Sequence, residues 1–274
     1  MSTLVSGGGR SPLQVAMEAA YQAGDLLLRR AGSEKHIREK SRGNILTDLD
    51  SEVEELVVGR LLADFPGTGI LAEESGRRGG ETEYTWVIDP LDGTRNYASG
   101  IPFYAVTIAL ARGNDVLMGV TYDPNRKEMF RAEKGKGAYL NDVRLGVSRQ
   151  ESLRGCVLGT DMGYSDEMGH YVLRLLDILW PGMQTVRIIG SAALGLAYTA
   201  AGRTDLYFHH LLSPWDIAAG ILMGREAGGV VTNRLGQPVD LLRDRSVVLS
   251  SPTLHAEFLS RPRGLEWRDV GPAG

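Results

Sequence analysis

Residues 86–96 constrain the fold of this 274-residue chain more than any other stretch. The segment begins with three apolar, β-prone residues, which predict a strand buried among other elements. Asp89 and Asp92 follow where that strand is expected to end, and Gly93 and Thr94 then predict the start of a helix. Two carboxylates would thus lie beside unpaired backbone N–H groups that favour an anion. Carboxylates and an anion-binding backbone can lie side by side if a hard cation bridges the carboxylates to a phosphate. The segment therefore predicts a metal-dependent phosphoryl site.

Two other interpretations of the same residues exist. Asp, Pro and Gly are standard turn residues, so the segment is also compatible with a plain polar turn. Aspartyl-phosphatases of the haloacid dehalogenase type place a nucleophilic Asp two residues before a second Asp. Asp89 and Asp92 are three residues apart and miss that pattern by one position. Carboxylates elsewhere in the chain favour the metal site over the turn.

Composition narrows the class of protein. Hydrophobic residues make up 43% of the chain and charged residues 23%, as in ordinary globular proteins. The net charge of −4 offers no basic surface, so we expect no nucleic-acid partner. The single cysteine, Cys156, excludes an internal disulfide and a cysteine-rich zinc site. The chain lacks an apolar run of about 18 residues, and residues 1–10 lack a signal peptide's apolar core, so we expect a cytoplasmic protein with no membrane partner.

The pattern of apolar residues divides the chain near residue 150. The first half has helical spacing at residues 12–30 and again before residue 65, followed by several β-rich runs, which predict an antiparallel sheet flanked by two helices. The second half alternates strands with helices, which predicts an α/β arrangement. Its predicted strands are residues 156–159, 185–189, 205–208, 229–232 and 246–249, and its predicted helices are residues 167–179, 192–201, 215–227 and 252–260.

Further carboxylates lie at the ends of predicted elements. Glu73 and Glu74 end a short apolar strand, so one sheet edge is expected to gather several acidic groups. Asp216 opens a helix, where an acidic residue is usually a cap or interacts with the helix dipole. Asp48 and Asp50 precede another helix and have the same ordinary explanation.

Three blocks of sequence together carry a resemblance to a known family. They are Ala-Glu-Glu-Ser at residues 72–75, the segment 86–96, and Pro-Trp-Asp-Ile-Ala-Ala-Gly at residues 214–220. In order and spacing they closely resemble the inositol monophosphatase family, and the resemblance runs from about residue 13 to about residue 260. It implies an α/β protein, a layered αβαβα sandwich of the inositol monophosphatase and fructose-1,6-bisphosphatase type. It also implies a lithium-sensitive, magnesium-dependent hydrolase that forms a homodimer.

The resemblance also implies a division of labour between the halves. Residues 1–150 would form the α+β half with most metal ligands, and residues 151–274 the α/β half that adds one ligand and the substrate contacts.

Two or three magnesium ions are implied for each active site. Glu73, Asp89 and the backbone carbonyl of Leu91 match the ligands of the first ion. Asp89, Asp92 and Asp216 match the ligands of the second, so that Asp89 bridges the pair. Two such metals about 4 Å apart clamp the attacking and leaving oxygens of an in-line displacement.

The catalytic roles follow from the same resemblance. Thr47-x-x-Asp50 matches a family block in which the aspartate pairs with the Thr94 hydroxyl to orient a metal-activated water. Glu73 would accept the proton of that water, and the backbone N–H groups of Gly93 and Thr94 would hold the phosphate. The resemblance therefore implies direct attack by water, without a covalent phospho-enzyme.

Substrate contacts are implied at two places in the second half. Ser191 and Ala192 match an element that contacts substrate hydroxyls, and Ser191 is also a good N-cap. His209 stands where inositol-preferring members carry a glutamate, and a neutral imidazole has one donor and one acceptor where a carboxylate has only acceptors. His209 and His210 are adjacent on a predicted strand, so we expect their side chains to face opposite ways and to form no zinc site.

The sequence therefore predicts a magnesium-dependent phosphomonoesterase acting on inositol monophosphate or a related small polyol or sugar phosphate. One alternative is a phosphatase of the same superfamily that acts on fructose 1,6-bisphosphate, histidinol phosphate or 3′-phosphoadenosine nucleotides. Another, from a different class, is a binding protein in RNA processing or transcription, a role proposed for a bacterial relative. A binding protein has no need of a complete ligand set, so the enzyme is the favoured prediction.

Overall fold

The computed structural model describes the backbone of residues 4, 6–32, 37–41 and 44–261, and the side chains of those residues other than 37–41 and 44–46. The helices are α1 (Pro12–Arg30), α2 (Asp48–Asp64), α3 (Thr94–Ala98), α4 (Asp166–Leu179), α5 (Ala192–Ala200), α6 (Pro214–Glu226) and α7 (Pro252–Ser260). The strands are β1 (Ile37–Ser41), β2 (Asn44–Thr47), β3 (Gly69–Ala72), β4 (Gly76–Arg78), β5 (Tyr84–Asp92), β6 (Ala105–Arg112), β7 (Asp115–Asp123), β8 (Glu128–Glu133), β9 (Gly137–Leu140), β10 (Val143–Arg144), β11 (Val157–Thr160), β12 (Thr185–Ile188), β13 (Leu206–His209), β14 (Val230–Thr232) and β15 (Val247–Ser250).

The strands form one hairpin and two sheets. Strands β1 and β2 pair as an antiparallel hairpin. The larger sheet has eight strands in the order β10-β9-β8-β7-β6-β5-β3-β4, antiparallel except where β3 lies parallel to β5. The smaller sheet has five strands in the order β12-β11-β13-β15-β14, with the first three parallel and the last two antiparallel to their neighbours.

Side-chain alternation along the strands builds five layers. On β6, Ile108 packs into the core beneath α1 and α2, whereas Ala109 faces the core around α5 and α6. On β13, Tyr207 faces that same central core, whereas Phe208 packs with α4 and α7 on the outer side. Helices α5 and α6 therefore lie between the two sheets, and the predicted αβαβα sandwich is confirmed.

The predicted elements differ from the structure in a few places. Residues 76–78 are mostly polar and give no strand pattern, yet they form edge strand β4, and neither β10 nor the β1–β2 hairpin was predicted. The first sheet was expected to be antiparallel throughout, yet β3 and β5 run parallel. The central strand was expected to end before Asp89, but β5 continues through Asp92 with a register shift between the two aspartates.

The two halves share a core. Every strand of the eight-stranded sheet lies before residue 150 and every strand of the five-stranded sheet after it, but α6 packs against strands of both sheets. The division into domains at residues 1–150 and 151–274 therefore stays a prediction. Within the described residues, no helix combines the length and the apolar character that a membrane span requires.

Candidate active site

The irregular end of β5 brings two carboxylates into the interior. The regular pairing of β5 with β6 breaks between Asp89 and Asp92, next to Pro90, which cannot donate a ladder hydrogen bond. The amide of Leu91 instead donates to Oδ1 of Asp89 at 2.9 Å. Asp89 is 1% exposed and Asp92 is 7% exposed, so the bulge buries both acidic side chains.

A third carboxylate joins them from the other half of the chain. Oxygen atoms of Asp89, Asp92 and Asp216 all lie within 4.8 Å of one another. Asp216 is in the first turn of α6, and its Oδ2 accepts a hydrogen bond of 2.6 Å from the amide of Ser213. The capping role expected of an acidic residue at this position and its place in the carboxylate cluster therefore coexist.

Burial and mutual repulsion disfavour the ionised form of the carboxylates in this cluster when no cation is bound. Burial, followed by the charges of neighbouring carboxylates, raises the pKa of Asp89 and of Asp216 well above the ordinary value. Burial raises the pKa of Asp92 to about 7, although a hydrogen bond from Ser191 opposes the shift. Buried carboxylate oxygens beside a backbone carbonyl form the hard-oxygen donor set that magnesium prefers, so the residues fit a divalent cation.

Glu73 lies next to this cluster, held by the parallel pairing of two strands. It follows β3, and its amide donates to the carbonyl of Ile88 on β5 at 3.2 Å. Its charge acts on the cluster, since it contributes to raising the pKa of Asp89, Asp92 and Asp216. The carboxylate of Glu73 is nevertheless outside the group of three that lies within 4.8 Å.

The loop that carries Glu73 is fixed by a residue that sequence reasoning missed. Glu54, on α2, is buried, and its two carboxylate oxygens accept hydrogen bonds from the amides of Glu74 and Ser75, each at 2.8 Å. Glu54 has this role only because α2 packs against the loop. Its position within a helix does not predict these hydrogen bonds from the sequence.

Asp50 and Thr94 meet beside the bulge. Oγ1 of Thr94 lies 3.1 Å from Oδ1 of Asp50 and 2.9 Å from the carbonyl of Leu91, and it can donate to either. Oδ2 of Asp50 accepts from the amide of Thr47 at 2.9 Å and from its hydroxyl at 2.5 Å, which completes the cap of α2. Both side chains are buried, so the pair has a fixed geometry.

Gly93 joins β5 to α3 in a conformation that other residues rarely adopt. Its φ angle is +91°, and a side-chain carbon added there would lie 2.9 Å from the carbonyl oxygen of Phe103. The backbone at the predicted phosphate position is therefore available only to glycine.

The start of α5 bonds directly to one of the clustered aspartates. Ser191 donates its hydroxyl to Oδ2 of Asp92, and the amides of Ala192 and Ala193 donate to the two oxygens of Asp92 at 3.2 and 3.1 Å. The hydroxyl oxygen of Ser191 also accepts from the amide of Leu194 at 3.3 Å, so it is the N-cap of α5 as predicted. The structure thus joins two predicted substrate contacts to a predicted metal ligand.

The two histidines lie differently from the prediction. The rings of His209 and His210 are stacked, 4.9 Å apart and only 3° from parallel, so the expectation that they face opposite ways is wrong. Strand β13 ends at His209, and the alternation of side chains therefore does not extend to His210. Nδ1 of His209 accepts from the amide of Leu211 at 3.1 Å, which leaves the proton of the neutral ring on Nε2. Burial holds the pKa of His209 well below its usual range.

Sequence reasoning also missed Tyr164, which lies near enough to the clustered carboxylates for their charges to act on it. It is 50% exposed, yet its hydroxyl lies where burial and the charges of Asp92, Glu73 and Asp216 raise its pKa to about 12. Among the described residues this hydroxyl has no hydrogen-bond partner. No motif in the sequence distinguishes it from an ordinary surface tyrosine.

Comparison with known proteins places the chain in a family. The model of the inositol monophosphatase family matches residues 10–263. A protein of Mesorhizobium japonicum called inositol-1-monophosphatase is 38% identical over 252 residues, which cover 90% of this chain and 94% of that protein. The Nus factor SuhB of Xylella fastidiosa is 39% identical over 236 residues, covering 85% of this chain and 86% of that protein.

A solved structure has the same fold. The crystal structure of the extragenic suppressor protein suhB from Bartonella henselae superposes with a TM-score of 0.87 at 37% identity, covering 91% of this chain and 97% of that one. The layered sandwich and its buried acidic centre are those of a metal-dependent class of proteins that act on phosphorylated small molecules. The chain belongs to the inositol monophosphatase family.

Proposed function

We propose that this protein is a magnesium-dependent phosphomonoesterase that hydrolyses inositol monophosphate or a related small polyol or sugar phosphate. The observation that carries the proposal is the cluster of Asp89, Asp92 and Asp216, whose oxygens the end of β5 and the start of α6 bring within 4.8 Å of one another. Two buried carboxylates and a half-buried third, gathered this closely, are costly unless a cation neutralises them. Membership of the inositol monophosphatase family supports the phosphatase activity.

The metal ligands proposed are those that match the family. Glu73, Asp89 and the carbonyl of Leu91 would hold one magnesium ion. Asp89, Asp92 and Asp216 would hold a second, and a third ion would bind near Glu73 if the site takes three. When bound, magnesium would supply positive charge to the phosphoryl oxygens and acidify a water molecule. The hydrogen bond from the Leu91 amide to Asp89 supports this assignment, because it fixes both ligands of the bulge in one orientation.

Asp50 and Thr94 are the proposed water-orienting pair. When the Leu91 carbonyl is used as a ligand, the Thr94 hydroxyl keeps Asp50 as its acceptor, at 3.1 Å. The lone pairs of the hydroxyl oxygen would then point away from Asp50 and accept a hydrogen bond from the attacking water. Glu73, next to the cluster, would take the proton that this water loses.

The phosphate and the alcohol have separate proposed contacts. Backbone N–H groups of Gly93 and Thr94 would hold the phosphate, and the start of α5, with Ser191 and Ala192, would face the substrate hydroxyls. His209 would contribute the N–H of Nε2, because Nδ1 is already engaged with the chain. A donor at this position suits substrates that present a hydrogen-bond acceptor, so the proposed substrate range extends beyond inositol phosphate to fructose 1,6-bisphosphate, histidinol phosphate and 3′-phosphoadenosine nucleotides.

A second candidate function comes from the names of some relatives. The Xylella fastidiosa relative is called a Nus factor, which supports a binding role in transcription or RNA processing. The complete set of carboxylates and the net charge of −4 favour the enzyme instead. We further propose that the protein is a homodimer and that it is cytoplasmic.

The test is phosphate release from a panel of esters, including myo-inositol 1-phosphate and sugar, nucleotide and histidinol phosphates. Activity should require magnesium, disappear with a chelator and fall with excess lithium. Asp89→Asn should abolish it, whereas Asp205→Asn, at a carboxylate that precedes β13 and accepts from the Val157 amide at the start of β11, should not. Equal activity with a chelator present would exclude the metal mechanism, and a folded protein inactive on every ester would favour the binding role.

A further inference from the structure

The turn formed by Ile189 and Gly190, just before α5, is held from one side by a buried carboxylate. Oδ1 of Asp161 accepts hydrogen bonds from the amides of Ile189 and Gly190, at 2.8 and 2.5 Å. Its other oxygen, Oδ2, accepts from the hydroxyl of Tyr207 at 2.8 Å. Asp161 is 7% exposed and Tyr207 is fully buried, so this group of hydrogen bonds is fixed inside the protein.

The same turn is held from the opposite side by an amide of the first half. Nδ2 of Asn96, on α3, donates to the carbonyls of Ile189 at 2.9 Å and of Phe103 at 2.8 Å, and it lies 3.2 Å from the carbonyl of Gly190. Gly190 has a φ angle of +72°, and a side-chain carbon there would lie 2.8 Å from Nδ2. Asp161 thus accepts hydrogen bonds from the N–H groups of the turn, while Asn96 donates to its carbonyls.

This clamp, formed by Asp161 and Asn96, leads directly to a proposed metal ligand. The residue after the turn is Ser191, which donates to Asp92, and the next two amides donate to Asp92 as well. A shift of the turn would therefore move three donors at once. Both oxygens of Asp92 would change direction, because each accepts at least one of these hydrogen bonds.

We infer that Asp161 and Asn96 are positioning residues that, through the start of α5, set the orientation in which Asp92 meets a divalent cation. The inference rests on the metal site of the proposed function. A purely structural role for the clamp predicts a loss of stability alone, whereas a positioning role predicts a loss of magnesium affinity in a protein that remains folded. Groups that orient metal ligands typically change metal affinity about 10–100-fold when removed.

The experiment is calorimetric titration of the full chain with magnesium chloride. Asp92→Asn first identifies the binding step that depends on Asp92. In Asp161→Ala, the dissociation constant of that step should rise by about tenfold. In Asp161→Asn it should stay close to wild type, because one amide oxygen can still accept from both Ile189 and Gly190.

Asp205→Ala is the matched control. Asp205 also accepts from a backbone amide, that of Val157 at 2.6 Å, but at the opposite end of β11. Its removal should lower the melting temperature without changing the Asp92-dependent step. Asn96→Ala breaks the clamp from the other side, should weaken the same step, and replaces Asp161→Ala if that variant does not fold.

The outcomes separate the two claims. Unchanged magnesium affinity in Asp161→Ala and Asn96→Ala, or an equal loss in Asp205→Ala, overturns the positioning role while leaving the metal site intact. An Asp161→Asn variant as weak as Asp161→Ala also contradicts it, since geometry would then not be the cause. A wild-type protein that binds no magnesium contradicts the proposed metal site itself.

Discussion

The hydroxyl oxygen of Thr94 lies 3.1 Å from a carboxylate oxygen of Asp50, although the two residues are 44 positions apart in the chain. Asp50 is already fixed by two hydrogen bonds from Thr47, so Thr94 receives a rigid acceptor. Neither side chain belongs to the group of carboxylates within 4.8 Å. The pair therefore suits the orientation of a water molecule more than the binding of an ion.

Replacing Thr94 should separate water orientation from metal binding. We expect Thr94→Ala to lower the turnover number by about 10²–10⁴-fold while leaving magnesium affinity nearly intact, because only the hydroxyl is lost. Asp216→Asn should instead weaken magnesium binding, since a neutral amide replaces a carboxylate ligand.

Rate measured against magnesium concentration decides between the two roles. High magnesium should partly restore Asp216→Asn but hardly Thr94→Ala, and Thr94→Ser, which keeps the hydroxyl, is the control. Full rescue of Thr94→Ala by magnesium would assign Thr94 to metal assembly.

The stabilisation by magnesium should grow with pH. In the metal-free protein the pKa of Asp92 is raised to about 7, above its ordinary value, so its contribution to stability is present at low pH and is lost as pH rises through about 7. Magnesium needs ionised ligands and reverses that loss. Melting temperatures with magnesium and with a chelator should therefore diverge from pH 5 to pH 8, and Asp92→Asn should reduce the divergence. An equal difference at every pH would contradict the prediction.

His210 should make the protein sensitive to acid. It is 1% exposed, its two ring nitrogens have no hydrogen-bond partner in the part of the chain that the structure describes, and burial lowers its pKa to about 4. Because the folded-state pKa is lowered, the contribution of His210 to stability is present above pH 6.5 and is lost as pH falls toward 4.

His210→Leu should remove that loss, since no hydrogen bond is broken by the change. The difference in free energy of unfolding between His210→Leu and the wild type should therefore shift by about 2 kcal/mol in favour of the variant when the pH is lowered from 8 to 5. Denaturant unfolding at the two pH values measures it. His170→Leu, at an exposed position of α4, is the control, and an equal gain there would refute the assignment to His210.

Tyr164 should affect substrate binding more than metal binding. Its hydroxyl lies near the carboxylates and has no hydrogen-bond partner among the described residues, so we expect Tyr164→Phe to raise KM by roughly 3–10-fold, the value of one hydrogen bond. Magnesium affinity should not change. Tyr21→Phe, at another partly exposed tyrosine, is the control, and an unchanged KM in Tyr164→Phe would exclude a substrate contact.

The proposed homodimer predicts a mass of twice the 29.8 kDa chain in light scattering at micromolar concentration. Leu173, Ile178 and Trp180, on or next to α4, are each at least 50% exposed, which is unusual for large apolar residues. Trp180→Glu should weaken association, whereas Leu235→Glu, at an exposed position elsewhere, should not. A single species of one chain's mass would refute the homodimer.

The sequence predicts most elements because apolar spacing marks them locally. Its failures are elements that depend on a neighbour. Strand β4 is three mostly polar residues that pair with the edge of β3, and nothing in its own pattern is β-like. The extension of β5 through Asp92 likewise depends on its pairing with β6, and the stacking of His209 on His210 depends on where β13 ends.

The candidate site divides in the same way. Asp50 and Asp216 lie at positions where local capping rules already place an acidic residue, and Asp89 and Asp92 are part of a continuous motif. Glu54, Asp161 and Tyr164 belong to no motif, since each has its role only through residues distant in the chain. Asn96 is within the motif, but its partner turn lies 93 residues later.

The hydrogen bonds from the start of α5 to Asp92 span 99 to 101 residues of sequence. A ribosome that has released only the eight-stranded sheet has therefore exposed Asp92 without the donors that orient it, and without Asp216. Because contacts of such long sequence separation form late in folding, the nascent chain would hold a half-made acidic centre until α5 and α6 emerge. The acidic centre is thus completed only near the end of synthesis, and a product truncated before α5 would lack both Asp216 and the donors that orient Asp92.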